Sequence, residues 1–204
     1  MAEITAQAVN EFRKQTGLGL MECKALLKEA DGDLKKAMTL AQEKGKANAA
    51  KRAGRAARAG RIEVYIHHDG KSGALIEVNC ETDFVARNEE FRQVAKDIAV
   101  HILGANPKYR TREDMPADLL AARRAAFEQE AANKPENVRE KLVEGKLARW
   151  SGENGVLIDQ PFVKDDAKTI RQLLQELNAR TGENVTVGRF ARFIVGEDAP
   201  AAAE

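Results

Sequence analysis

At 204 residues, 43% apolar and 32% charged, with a formal net charge of +1, the chain suits a soluble globular protein of one ordinary domain plus a smaller one. It is no polyelectrolyte as a whole, so attraction to nucleic acid would have to come from a local patch. No stretch approaches the roughly 20 apolar residues that span a bilayer, and the polar opening MAEITAQAVNEF is unlike a secretory signal, so a cytoplasmic protein with no membrane partner is expected.

Glycines at positions 17, 19, 32 and 45 punctuate the start. Between them apolar residues recur three or four apart: Ala8, Val9 and Phe12; Leu20, Cys23, Leu26 and Leu27; Leu34, Ala37, Met38 and Ala41. That period predicts three helices over residues 1–45, with Thr5 and Asp33 as N-caps and Gly45 as a C-cap. The stretch KGKANAAKRAGRAARAGR, Lys44 to Arg61, carries seven basic residues and no acid. At about 100° per residue, Ala49, Ala50, Ala53, Ala56 and Ala57 gather opposite Lys51, Arg52, Arg55 and Arg58, which predicts a basic linker helix over 46–61.

From Ile62 the period becomes two. Ile62, Val64 and Ile66 alternate with Glu63, Tyr65 and His67, and a turn at Asp69-Gly70 leads into Ala74, Ile76, Val78 and Cys80, a hairpin. It runs straight into NCETDFVARN, Asn79–Asn88. Helices follow: one after Asn88 with Phe91, Val94, Ala95, Ile98 and Ile102; one near Pro116; one near Pro135; and, after the apolar loop GVLIDQPFV, one from about Asp166. The alternating run Asn184–Val195 predicts a third strand that joins the hairpin by long-range pairing, and the tail 198–204 is expected to be disordered. The fold class is therefore α+β: helices first, then over 62–197 a small antiparallel three-stranded sheet packed with several helices.

No enzyme site assembles from these residues. His67 and His68 are neighbours on what reads as a strand and should point to opposite faces; the Gly17–Gly19 pair lacks a third glycine and a preceding strand. Glu77, Glu81 and Asp83 read as a solvated strand end, with a hydrolase around them as a third reading that has no nucleophile. Cys23 and Cys80, far apart and among apolar residues, read as reduced, packed thiols. Phe84, set between Asp83 and Arg87, reads on its own either as a ring closing the core beneath the turn or as a probe pointing outward.

CETDFVARN, Cys80–Asn88, resembles the signature of the bacterial elongation factor Ts family. So do TGLGLMECKALLKEADGDLKKA (Thr16–Ala37), EGKLARW (Glu144–Trp150), QPFVKDD (Gln160–Asp166) and RFARF (Arg189–Phe193), in the family's order and across nearly the whole chain. Leu18, Leu20 and Glu22 depart from the commoner residues while keeping apolar character or charge. The resemblance implies a guanine-nucleotide exchange factor for elongation factor Tu, GDP-bound and nucleotide-free, with no cofactor, no metal, no group-transfer chemistry and no direct nucleic-acid binding. It implies that the first 45 residues form a module like a ubiquitin-associated domain, docking through Phe12, Leu20 and Met21. It implies that Thr82, Asp83, Phe84 and Val85 enter the partner near its Mg²⁺ site. Longer members resemble a duplicated core, so a single-core chain implies a homodimer. The competing reading is an RNA- or ribosome-binding protein that uses the basic helix 44–61.

Overall fold

The structure, a computed structural model, describes residues 4–16, 18–52 and 54–197, and no side chain at 42 or 45–52. Gly17, the side chains of 45–52 and the tail 198–204, on which some expectations fell, lie outside the described residues. The chain divides into two compact units that do not follow chain order. The first holds the residues up to Gly60, with Asn79–Asn88 and Leu174–Thr186; the second holds Arg61–Val78, Glu89–Leu173 and the residues from Val187 on.

In the first unit, α1 (Ala6–Thr16), α2 (Leu20–Glu29) and α3 (Leu34–Arg52) form a helical bundle. Thr5 Oγ1 accepts from the Ala8 amide at 3.2 Å, and Asp33 Oδ1 from Lys35 and Lys36 at 2.8 and 3.2 Å, so both expected caps form. α2 ends where Asp31 and Gly32 turn left-handed, at φ 52° and 82°, and the Gly32 amide reaches back to the Leu27 carbonyl at 2.8 Å. Val9, Phe12, Leu18, Cys23, Leu26, Leu27, Ala30, Ala37 and Ala41 make the core of this bundle. Gly45 does not cap α3. The good helix formers around it carry the helix through the glycine to Arg52, which outweighs the ~1 kcal/mol that glycine costs. The basic helix expected to reach Arg61 also stops there. Gly54 and the residues after it are non-helical and Ala59 already belongs to a strand, so Arg55 and Arg58 share no helical face with Lys51 and Arg52.

The sheet has the order β1 (Ala59–Ile66), β2 (Ser72–Cys80), β5 (Thr186–Ile194), so the last strand pairs with the hairpin as the alternation requires. The Asp69-Gly70 turn forms: Gly70 is left-handed, and Asp69 Oδ1 accepts from the Lys71 amide at 2.9 Å. His67 and His68 sit in this turn, past the end of β1, and their rings tilt together at 4.2 Å instead of facing apart. After α4 (Asp83–Ala86), α5 (Glu89–Ala105) buries Phe91, Val94, Ala95, Ile98, Ala99 and Ile102. Arg192 of β5 ties to α5 by donating to the Leu103 carbonyl at 3.1 Å. α6 (Ala117–Glu130) and α7 (Glu136–Glu153) make a helical hairpin around Ala131, Val143 and Leu147.

The segment read as a helix from Asp166 is first a strand. β4 (Asp165–Thr169) folds back on β3 (Pro161–Phe162), and α8 (Ile170–Thr181) begins only after Thr169. A reciprocal cap sets that start: the Gln172 amide donates to Thr169 Oγ1 at 3.3 Å, and the Thr169 amide to Gln172 Oε1 at 2.8 Å. Four residues are placed against their polarity. Ile62, Val64 and Ile66 lie on the exposed side of β1, whereas His101 of α5 is buried.

Candidate functional site

β2 delivers the chain into NCETDFVARN with Cys80 buried at its end. The Cys80 thiol donates to the Thr82 carbonyl at 3.1 Å. Burial and the neighbouring Glu183 charge push that thiol above its ordinary value, keeping it protonated and a poor nucleophile. Thr82 is extended, and the single turn of α4 follows. Ala86 anchors the turn by burial, Val85 is half-buried, and Phe84 stands out with 82% of its surface exposed. The Phe84 ring thus points outward and does not close the core beneath the turn. Asp83 and Arg87 pair at 2.8 Å on the surface beside it.

Four residues make one turn of helix, too short to hold itself in water. Its orientation comes from residues about a hundred positions away in the same unit. Glu183 Oε2 accepts from the Glu81 and Thr82 amides, each at 3.0 Å, and its Oε1 from the Thr82 hydroxyl at 2.5 Å. In return, Glu81 Oε1 accepts from the Asn184 amide at 2.7 Å, and its other oxygen lies 3.4 Å from Arg55. Asn184 also donates its side-chain amide to the Arg55 carbonyl at 3.0 Å. Sequence reading singled out neither Glu183 nor Asn184; the one local cue is Gly182, left-handed at φ 76°, which ends α8 and marks a turn.

On the helical bundle, Leu20 and Met21 are exposed at the start of α2, Met21 by 77%, as docking residues need to be. Phe12 is fully enclosed in the bundle core, so it shapes the module and offers no contact surface itself. Leu34, which the helical period grouped with Ala37, Met38 and Ala41, is instead exposed at the start of α3.

The carboxylates suspected of chemistry disperse: Glu77 pairs with Arg189 at 2.8 Å, Glu81 with Arg55, and Asp83 with Arg87. Among the described residues no group of three or more His, Cys, Asp and Glu could hold a metal ion, and no helix is long and apolar enough to cross a membrane. The second unit has an open cleft of about 660 Å³ lined in part by Gly152, Asp159, Gln160 and Thr169. Asp159 there accepts from Arg112 Nε and Ser151 Oγ, both at 2.6 Å, and from Arg171 at 2.8 and 3.1 Å. Its oxygens are fully engaged in holding side chains together. The nearby imidazole of His101 goes elsewhere: the Val163 amide donates to its Nδ1 at 3.2 Å, so Nε2 carries the proton and donates to Gln160 Oε1 at 3.0 Å. Serine, aspartate and histidine therefore form no hydrolytic triad.

Comparison with known proteins agrees with the motifs. The family model described as elongation factor TS matches residues 2–197. A protein named elongation factor Ts from Caldanaerobacter subterraneus subsp. tengcongensis is 49% identical over 95% of this chain and 98% of its own length. Its namesake from Geobacter sulfurreducens is 50% identical over 95% of this chain and 90% of its own. That from Finegoldia magna is 48% identical over 97% and 92%.

Proposed function

From the premise that the chain belongs to the elongation factor Ts family, nucleotide exchange factors for elongation factor Tu that transfer no group, we propose that the turn Thr82-Asp83-Phe84-Val85 is its exchange element. Phe84 carries this reading: a large apolar ring held out on a tied-down turn gains by burial only in a pocket of another molecule. In such GTPases Mg²⁺ bridges the nucleotide phosphates and the protein, so GDP leaves slowly. Phe84 inserts between partner helices and shifts the loops that hold metal and phosphate. Asp83 hydrogen-bonds to the displaced arrangement without taking the metal. The factor binds nucleotide-free partner more tightly than loaded partner, and by linkage GDP and the factor weaken each other's binding equally.

Magnitudes divide the labour. A thousandfold faster release lowers the barrier by ~4 kcal/mol. Burying one aromatic ring contributes about 1.5–3 kcal/mol. The remainder falls to docking by the N-terminal module, UBA-like in this reading, through Leu20 and Met21. Trace amounts of the protein, added to elongation factor Tu loaded with fluorescent GDP, release many equivalents of nucleotide. Stoichiometric release or none contradicts exchange catalysis.

The cytoplasmic protein acts as a homodimer in this reading. In its support, β1 exposes Ile62, Val64 and Ile66, β2 exposes Leu75, and Phe193 and Val195 are exposed at the end of β5. A three-stranded sheet with that much uncovered apolar side chain suits packing against a second copy, since closed two-fold pairs are the commonest assembly. Val64→Asp is expected to turn the dimer into monomers in sedimentation equilibrium; an unchanged mass rules this face out.

A further inference from the structure

We propose that Glu183 is a positioning residue for exchange, acting through Thr82 and not on the partner; this rests on the reading of Phe84 as the exchange probe. Both oxygens of Glu183 are spent on the turn: one takes the Glu81 and Thr82 amides and the other the Thr82 hydroxyl. The Thr82 side chain makes no capping bond to α4, because its hydroxyl is turned to Glu183. Thr82 is the hinge between β2 and the single turn that bears Phe84 two residues on, so its backbone setting aims the ring. Glu81 completes a reciprocal lock by accepting from the amide of Asn184, the residue after Glu183. Two stretches of chain thus each supply a carboxylate to the other's backbone.

The lock is open to solvent at Thr82, which is exposed, while Glu81 and Glu183 are half-buried and Asn184 is buried, so the Thr82 amide freed by its loss turns to water. Glu183→Ala removes the bonds to the Glu81 and Thr82 amides and the Thr82 hydroxyl but leaves the buried Asn184 amide on Glu81, so its main effect is to give the turn freedom to misdirect the ring. Docking through Leu20 and Met21 is untouched. The loss therefore falls on the maximal rate of GDP release and not on the factor concentration that gives half of it.

The two carboxylate roles separate by substitution. In Glu183→Ala the Glu183 side of the lock is gone. In Glu183→Gln the side-chain oxygen still accepts from the two amides, and the new NH₂ donates to the Thr82 oxygen, so geometry survives without charge. The experiment is stopped-flow release of fluorescent GDP from elongation factor Tu, over a range of factor concentrations, for wild type, Glu183→Ala, Glu183→Gln, Phe84→Ala and the Phe84→Ala/Glu183→Ala double variant. Melting temperatures are taken alongside. Glu183→Ala is expected to lower the maximal rate about tenfold with the half-saturating concentration unchanged. Glu183→Gln should stay within about threefold of wild type, and the double variant should be no slower than Phe84→Ala. Thr82→Val, which removes only the hydroxyl bond, should show a smaller loss of the same kind, and reads the effect even where Glu183→Ala folds poorly. Wild-type rates in Glu183→Ala, a Gln variant as slow as Ala, or a full further loss in the double variant overturns the proposal. A Phe84→Ala protein as fast as wild type overturns the underlying reading instead.

Discussion

Two carboxylates, Glu183 in the first unit and Asp159 in the second, are each surrounded by donors, and they do opposite jobs. Asp159 has 2% of its side chain exposed and binds Arg112, Ser151 and Arg171. Those partners come from the loop after α5, from α7 and from α8, so the carboxylate joins three pieces of chain. Glu183 is bonded as fully, yet Thr82 is exposed and the product is a displayed phenylalanine. In the proposed reading the number of hydrogen bonds does not distinguish a structural hub from a positioning one; access to solvent does. An unpaired charge costs several kcal/mol where water is excluded and little where it is not.

The sharpest test of that contrast is Asp159→Ala. It leaves the largely enclosed Arg112 with Glu144 as its remaining carboxylate partner, at an expected cost of about 3 kcal/mol, the low end for a broken buried pair. Urea unfolding measures this, and the folded fraction should still promote exchange at the wild-type rate. A loss of exchange without loss of stability would erase the distinction between the hubs.

Next in size is Gly152→Ala, beside the same aspartate. A β-carbon at Gly152 would meet the Asp159 carbonyl oxygen at 2.5 Å. The close approach costs about 1–3 kcal/mol, more than offsetting the ~1 kcal/mol that alanine normally gains in a helix. A lowered melting temperature is expected; a raised one would mean that this contact yields easily.

Smallest is the response to acid. Burial pushes the Asp159 carboxyl up, but hydrogen bonds from Arg112, Ser151 and Arg171 outweigh it and hold the group below its ordinary value. Burial likewise lowers His101, against the hydrogen bond to Gln160. Both groups bind protons more readily unfolded than folded. The His101 contribution is therefore present above about pH 6.5 and fades as pH falls below it; that of Asp159 is present above about pH 4 and fades below that. Thermal melts should show a first decline between pH 7 and 5 that His101→Gln reduces. A melting temperature rising over that range would reverse the sign.

The sequence made the local rules visible. Thr5 and Asp33 cap their helices, Asp69-Gly70 turns the hairpin, and Thr-Ile-Arg-Gln at 169–172 held a capping signal that marks the true start of α8. Alternation found β1 without telling which of its faces is covered, so the outward Ile62, Val64 and Ile66 could not be foreseen. Phe84 was ambiguous by chemistry alone; its exposure in the structure supports the probe reading that the family motif implied. The two carboxylate hubs were invisible for one reason: Glu183 and Thr82 are 101 residues apart, and Arg112 and Asp159 are 47 apart. No periodicity connects positions that only the tertiary fold brings together.

The central claim is that Phe84 works on another molecule and not on its own core. It is tested most directly by pairing two numbers for Phe84→Ala: the maximal rate of GDP release from elongation factor Tu and the melting temperature of the isolated factor. The account predicts release slowed tenfold or more with melting within about 2 °C of wild type, since an exposed ring contributes little to folding. Release at the wild-type rate, or a melting temperature lowered by many degrees, contradicts it.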